Sequence, residues 1–98
     1  MSLSVSFVRA ARGEFEEASA RYEAQRPSLG MEFIAEIERC VALVADQPEM
    51  YAVIHKDVRR VTVRRFPYSV HFRAESDRIV VLCVFHGSRD PALWQRRA

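Results

Sequence analysis

The 98-residue chain is long enough for one domain with a single hydrophobic core, and we treat residues 1–98 as that domain. An apolar content of 49% argues against a disordered protein, and no apolar run approaches the roughly 20 residues of a membrane-spanning helix. The net charge of +2 conceals an asymmetry, because residues 1–50 carry five basic and nine acidic side chains whereas residues 51–98 carry ten and four. This basic second half favours an acidic or polyanionic partner.

The two cysteines lie in apolar stretches, and they exclude several classes of protein. Two are too few for the disulfide framework of a small secreted domain, so Cys40 and Cys83 are expected to be buried thiols in a reducing cytoplasm. Cys83 and His86 have a ligand-like spacing, but no second pair completes a zinc site, and we expect neither a metal nor another cofactor.

The N-terminus also lacks the basic and apolar segments of a signal peptide.

The first half of the chain has the periodicity of one strand followed by two helices. Apolar residues alternate with serines over residues 3–7, as in a short strand. Helical spacing of apolar residues then predicts a helix over about 10–25, with Glu14 in its early part, where the helix dipole favours anions. The segment 27–30 breaks this helix, and a second helical stripe runs over 33–44. Two helices joined by so short a break should pack as an antiparallel hairpin.

The second half of the chain changes to the two-residue period of strands. Alternation over 59–64 and again over 70–74 predicts two strands, each with one buried face. Residues 75–77 read as a turn, and residues 78–85 are apolar on both faces, as in a central strand. The predicted fold class is α+β: an N-terminal strand, an antiparallel helical hairpin packed on an antiparallel β-sheet meander, and a short C-terminal helix.

One consequence of this fold is an open basic sheet face. If the apolar faces of the first two meander strands point at the helices, the polar residues between them point away. We predict that the open basic face consists of Arg60, Arg64, His71 and Arg73. Arginine forms bidentate contacts with phosphate and carboxylate groups, so this face is suited to an anionic partner.

Three segments in a fixed order carry a resemblance to a known family: LGMEF in the second helix, RRFPY before a hydrophobic strand, and a closing HGSRDPALW of the form H-x-x-R-D-P-x-x-W. From about Phe7 to Arg96 the chain resembles the RelE/ParE toxin superfamily of bacterial type II toxin–antitoxin modules, often called plasmid-stabilisation proteins. The resemblance implies the same fold as the periodicity. It also implies neutralisation by a cognate antitoxin of the ribbon-helix-helix type.

The superfamily resemblance implies two different activities on one scaffold, so the fold alone does not settle the function. Toxins of the RelE-like branch cleave mRNA on the ribosome, whereas those of the ParE-like branch bind DNA gyrase without cleaving RNA. A third interpretation is a toxin-derived domain that no longer poisons cells and only binds its antitoxin. We favour a ParE-like, non-enzymatic toxin.

The nuclease interpretation requires a proton acceptor, a proton donor and cations that stabilise the additional phosphate charge. The residues that could supply them are His86, Arg64, Arg65 and Arg89. Two departures from the nuclease branch count against this interpretation. Tyr68 stands near the position of an arginine in many of those nucleases, and no tyrosine follows His86 at the chain end. A histidine at the end of a buried strand is more often a structural donor.

The closing segment FHGSRDPALWQRR brings His86, Ser88 and Asp90 close together in sequence. A hydrolase triad would also need a strained nucleophile turn such as G-x-S-x-G, which is absent. We predict instead that Asp90 caps a short helix that Pro91 begins.

Trp94 has two interpretations: its ring anchors the C-terminal segment on the domain, or it contributes to a target-binding surface. The ParE resemblance implies that this region contributes to gyrase binding. The predicted target-binding set is Arg89, Trp94, Arg96 and Arg97.

Overall fold

The computed structural model describes residues 2–98, and Met1 of the predicted domain lies outside the described residues. Its elements are β1 (Ser4–Phe7), α1 (Arg9–Gln25), α2 (Leu29–Asp46), a 3-10 turn (Pro48–Met50), β2 (Val53–His55), β3 (Val58–Thr62), β4 (Tyr68–Ala74), β5 (Arg78–His86) and α3 (Ala92–Gln95). Within residues 2–98, no helix combines the length and the apolar character needed to cross a membrane.

The five strands form one sheet in the order β1-β5-β4-β3-β2. The predicted antiparallel meander is confirmed in β3, β4 and β5. β1 occupies the edge beside β5 and runs parallel to it, so the sheet is mixed rather than wholly antiparallel. At the other edge, the sequence analysis did not predict β2, because a strand of only three residues is too short to show a two-residue period.

The connection between the two long helices is tighter than predicted. Of the expected break at 27–30, Leu29 and Gly30 already belong to α2. Ser28 adopts the left-handed conformation with φ of 74°. Its backbone N–H and that of Gly30 donate to the carboxylate of Glu23 at 2.9 and 3.0 Å, which satisfies two amide groups that the start of a helix leaves free.

Gly30 lies where the two helices approach most closely. A Cβ atom there would stand 2.5 Å from the carbonyl oxygen of Ser19 and 2.9 Å from the Cβ of Glu23. The first of these is a backbone atom of α1 and cannot rotate away. The hairpin therefore depends on the absence of a side chain at this position.

The main core lies between the helical hairpin and one face of the sheet. α2 contributes Phe33, Ile37, Cys40 and Val44, and the sheet contributes Val61, Val70, Phe72, Ile79, Val81 and Val84. Phe33 is fully buried, and the rings of Tyr22, Phe66 and Tyr68 lie 5.1 to 5.2 Å from its own. Burying one phenylalanine side chain contributes about 1.5–3 kcal/mol, so this aromatic cluster is a major part of the hairpin's attachment to the sheet.

The opposite face of the sheet is partly covered, which corrects the prediction of an open basic face. α3 lays Trp94 over a second apolar cluster formed by Val58, Leu82, Cys83 and Phe85. His71, predicted to lie on the open face, is only 2% exposed. The alternation placed His71 on the side away from the helices, but alternation within a strand carries no information about what covers that side.

Both cysteines are buried free thiols, as predicted. Burial raises the pKa of both thiols, and that of Cys83 to about 12. Neither thiol is therefore ionised near neutral pH. Within residues 2–98, no group of three or more histidine, cysteine or acidic side chains is placed to hold a metal ion.

Replacement of Gly30 by alanine should lower the free energy of unfolding by about 1–3 kcal/mol, because the added methyl group overpacks the helix contact. The matched control is Gly13→Ala in α1, where an added Cβ meets no atom within 4 Å. That change should raise stability by up to about 1 kcal/mol. Thermal unfolding followed by circular dichroism measures both. Equal melting temperatures for the two variants would contradict the close-contact argument.

Candidate functional site

β5 contains a bulge at the place where its neighbour β1 ends. Leu82 has no partner on β4, because the residues on either side of it pair with consecutive β4 residues. On the other edge, β1 accompanies β5 only as far as Val81, whose carbonyl accepts a hydrogen bond from the N–H of Val8 at 3.0 Å. Beyond Val81, buried backbone groups on this edge of β5 need hydrogen-bond partners other than a strand, whereas the opposite edge stays paired with β4.

Side chains from two distant segments supply these partners. Glu14 of α1 accepts a hydrogen bond from the N–H of Val84 at 3.1 Å, and Arg97 donates to the carbonyl of Leu82 at 2.8 Å. The two side chains also bind each other: Nη1 and Nη2 of Arg97 donate to the two carboxylate oxygens of Glu14, at 3.0 and 2.9 Å. This hydrogen bonding raises the pKa of Arg97. The C-terminal segment (residues 87–98) is thereby attached to α1 and to the edge of β5.

This arrangement assigns Glu14 a role that the sequence analysis missed. Glu14 was attributed to the helix dipole, but the first turn of α1 holds no acidic residue. Its carboxylate is instead only 14% exposed and engaged by partners as far as 83 positions away. No local pattern in the sequence indicates this pair, because the two residues lie 83 positions apart and the residues around each of them do not identify the other as a partner.

Arg97 was predicted to bind the target, and the structure gives it an internal role. Its side chain is 25% exposed, and its guanidinium donates to Glu14 and to a backbone carbonyl. Its placement favours anchoring over direct contact.

Trp94 is also placed as an anchor. Its ring is 4% exposed and stands perpendicular to the ring of His71, with the ring centres 4.3 Å apart. It also meets the ring of His55 at 5.6 Å. Aromatic edge-to-face contacts of this kind add about 0.5–1.5 kcal/mol to the burial of apolar area. Little of the indole surface is left for a target.

His71 is a neutral buried group. Its Nε2 lies 2.9 Å from the hydroxyl oxygen of Ser69, and its Nδ1 is buried without a hydrogen-bond partner among residues 2–98. Burial, with a smaller effect of the Arg60 charge, lowers the pKa of His71 to about 4. His71 therefore contributes no positive charge to the sheet face near neutral pH.

The remaining residues of the predicted basic face differ in availability. Arg73 donates to the carboxylate of Asp57 at 2.8 Å, and this hydrogen bond lowers the pKa of Asp57. The side chains of Arg60 and Arg64 are exposed and form no hydrogen bond or ion pair within the described part of the chain. Of the predicted basic face, Arg60 on β3 therefore remains free, and Arg64 lies free beyond the end of β3.

Of the four candidates for RNA cleavage, His86 and Arg89 line one small cavity, whereas Arg64 and Arg65 are not part of its lining. Arg65, with φ of 71°, bonds to Glu32 of α2 at 2.6 Å. Arg64 points to solvent without a partner among residues 2–98, whereas Arg89 lies 3.9 Å from the Glu14 carboxylate. The structure therefore directs the three arginines to three different surroundings.

His86 is held by Ser88. Its Nδ1 accepts the backbone N–H of Ser88 at 3.0 Å and lies 2.7 Å from the Ser88 hydroxyl oxygen. A neutral ring that accepts at Nδ1 carries its proton on Nε2, so the free nitrogen is a donor. To act as a base through Nε2, the ring would need the other tautomer and would lose the hydrogen bond from the Ser88 backbone N–H.

Asp90 caps α3 and is not part of a triad. Its carboxylate accepts the backbone N–H of Ala92 at 3.0 Å, and the backbone of Pro91 is already helical. The predicted cap is therefore present, and the carboxylate has no contact with His86 that could orient the imidazole. A Ser88–His86–Asp90 hydrolase does not form.

Comparisons with known proteins agree with the resemblance. The sequence model of the ParE toxin of type II toxin–antitoxin systems matches residues 5–91. The fold is similar to a chain of the chromosomal ParDE system from P. aeruginosa, with 20% identity and a TM-score of 0.75 over 87% of this chain and 96% of that one. It is also similar to a chain of the RelBE2 toxin–antitoxin complex from Mycobacterium tuberculosis, with 17% identity and a TM-score of 0.60 over 88% and 99%. No curated protein sequence matches the chain.

Replacement of Asp90 by alanine should lower the free energy of unfolding by about 1 kcal/mol through loss of the cap. Asp77→Ala is the control, since that exposed side chain accepts no hydrogen bond within residues 2–98. Thermal melts of both variants give the measurement. A melting temperature for Asp90→Ala equal to that of the control would rule out the cap.

The stability of the protein should fall as the pH drops from about 6.5 towards about 4. The unfolded chain protonates His71 near its ordinary pKa of 6.5, whereas the folded chain resists protonation down to about 4. Stability is thus complete above about 6.5 and decreases by up to about 1.4 kcal/mol per pH unit below it. Urea titrations between pH 7.5 and 4.5 measure this slope. His71→Gln should flatten it, and an unchanged slope in that variant would exclude His71 as the cause.

Proposed function

We propose that this chain, which belongs to the ParE toxin family of type II toxin–antitoxin systems, inhibits DNA gyrase by binding it and is neutralised by a cognate antitoxin. The family match over residues 5–91 carries the proposal. The toxin acts as a binding protein and not as an enzyme.

The state of the possible catalytic groups supports binding over cleavage. General acid–base catalysis needs groups that can exchange protons with a substrate. The Nδ1 of His86 already accepts from Ser88, and the hydroxyl of Tyr68 accepts a partly buried hydrogen bond from Arg21 at 2.7 Å. A phosphate would also need converging cations, and Arg65 is already paired with Glu32.

The C-terminal segment also supports the proposal, because it presents exposed arginines on an anchored backbone. Arg89 is 48% exposed and Arg96 is exposed, while Trp94 and Arg97 hold the backbone that carries them. Arginines on an ordered segment lose less conformational freedom on binding than arginines on a flexible one. We assign direct target contact to Arg89 and Arg96, and we assign an anchoring role to Trp94 and Arg97.

The antitoxin is proposed to be a ribbon-helix-helix protein whose acidic segment covers part of the basic half. Two similar solved structures are a ParDE system and a RelBE2 toxin–antitoxin complex. Arg60 and Arg64 are exposed and unpaired within residues 2–98, so acidic side chains could contact them without first displacing an internal partner. An ion pair at this rim would mainly accelerate association and set specificity.

Expression of the toxin without an antitoxin tests the proposed function. Gyrase poisoning should induce the DNA-damage response in cells and should inhibit supercoiling by purified gyrase. Cleaved transcripts with intact chromosomes would replace the proposal by ribosome-dependent mRNA cleavage. Normal growth, with neither effect, would identify a domain that only binds its antitoxin.

The double variant Arg89→Gln/Arg96→Gln should raise the concentration needed for half-maximal inhibition of supercoiling by on the order of tenfold or more, since each interfacial arginine contact contributes about 1 kcal/mol or more. Arg78→Gln provides the control, because Arg78 is 50% exposed and lies at the opposite end of β5. Dose–response curves in a supercoiling assay give the comparison. If the double variant and the control inhibit equally, the C-terminal segment is not the contact surface.

A further inference from the structure

The C-terminal segment is fastened at two points on different sides of β5. Trp94 packs on the sheet face over the cluster that contains Leu82 and Phe85. Arg97 binds at the strand edge, to the Leu82 carbonyl and to Glu14. A segment held at a face and at an edge cannot pivot about either contact alone.

Glu14 is the acidic partner of this attachment. Both salt bridges that the C-terminal segment makes within residues 2–98 end on its carboxylate: Arg97 at 2.9 Å and Arg89 at 3.9 Å. The Arg97 contact is two-pronged, which fixes the direction of the guanidinium as well as its distance. The looser contact leaves the Arg89 side chain 48% exposed and free to meet a second anion.

We propose that Glu14 is a positioning residue for target recognition, an inference that rests on the proposed gyrase-binding function. Through Arg97 it fixes the course of the C-terminal segment, and through its weak attraction to Arg89 it directs that guanidinium before the target arrives. The orientation of Arg89 and Arg96 is therefore set from α1, in the opposite half of the chain.

Glu14 permits a cleaner test than Arg97 does. Its side chain is 14% exposed and carries a negative charge, so it is poorly suited to touch an acidic target itself. A loss of target binding on its replacement, with the protection of β4 kept, then acts through the C-terminal segment. Replacing Arg97 would remove a cation and an anchor together, and the two effects could not be separated.

The test compares Glu14→Gln with Glu16→Gln, the same substitution at an exposed position of the same helix. Glutamine keeps an oxygen that can accept the Val84 N–H, but it loses the charge that holds both arginines. Hydrogen exchange should show faster exchange in residues 90–98, where Leu93, Trp94, Gln95, Arg97 and Ala98 donate to carbonyls within the segment. β4 should keep its protection. Half-maximal inhibition of supercoiling should need on the order of tenfold more protein, because two or three arginine side chains must now be ordered on binding at about 0.5–1.5 kcal/mol each.

A second pair of variants covers the case in which Glu14→Gln does not fold. Arg97→Lys keeps one donor for the Leu82 carbonyl, whereas Arg97→Gln loses the charge. Exchange in residues 90–98 should therefore become faster in the order wild type, Arg97→Lys, Arg97→Gln, and this readout does not depend on whether the target contacts Arg97. Equal behaviour of lysine and glutamine would overturn the proposal.

The outcomes separate this inference from the proposed function. Unchanged exchange in residues 90–98 of Glu14→Gln overturns the positioning role, and so does faster exchange with wild-type potency. Loss of protection in β4 as well would show that Glu14 stabilises the whole fold rather than the segment, and it also overturns the proposal. If wild-type protein does not inhibit gyrase, the proposed function fails. The inference is then decided by growth inhibition in cells, where equal toxicity of Glu14→Gln and wild type refutes it.

Discussion

The stability of the fold depends on hydrogen bonds to the backbone groups of β5 that have no partner on a neighbouring strand. A bulge at Leu82 and the early end of β1 leave the Leu82 carbonyl and the Val84 N–H without strand partners. Buried groups of this kind destabilise a fold by about 1–3 kcal/mol each if they remain unpaired. Glu14 and Arg97 bond to both of them and to each other, so each charge is both paired and hydrogen-bonded. A largely buried ion pair contributes to stability only under that condition.

The same hydrogen bonds close the edge of β5 beyond the end of β1 to strands of other chains. Exposed strand edges invite pairing with further strands. Here one edge of β5 is covered first by β1 and then by side chains of α1 and the C-terminal segment. The two edges left for pairing are both short: β1 has four residues, and β2 has three residues and an irregular register with β3. The bulge thus both creates the need for the C-terminal anchor and fixes where that anchor lies.

The sequence was sufficient for the elements with clear periods and insufficient for contacts between distant segments. The stripe from Phe33 to Val44 predicted α2, and Asp90 followed by Pro91 predicted the cap of α3, because both signals lie within a few residues. The parallel pairing of β1 and the Glu14–Arg97 pair join segments more than 70 positions apart, and nothing in either segment specifies the other. His71 illustrates the limit of what the sequence predicts. Its side of the strand was predicted correctly, yet its burial depends on where α3 docks.

Whether a scaffold of this kind binds or cuts depends less on the fold than on which polar groups stay free. In this chain His71 is buried, Nδ1 of His86 accepts from Ser88, and Tyr68 accepts from Arg21. Over residues 51–98, the charged side chains left without a hydrogen bond or ion pair are mainly arginines, namely Arg60, Arg64 and Arg96. Arginine remains protonated at all relevant pH values, so it attracts anions strongly but transfers protons poorly. A surface that carries free arginines on an ordered frame is therefore suited to holding an anionic partner.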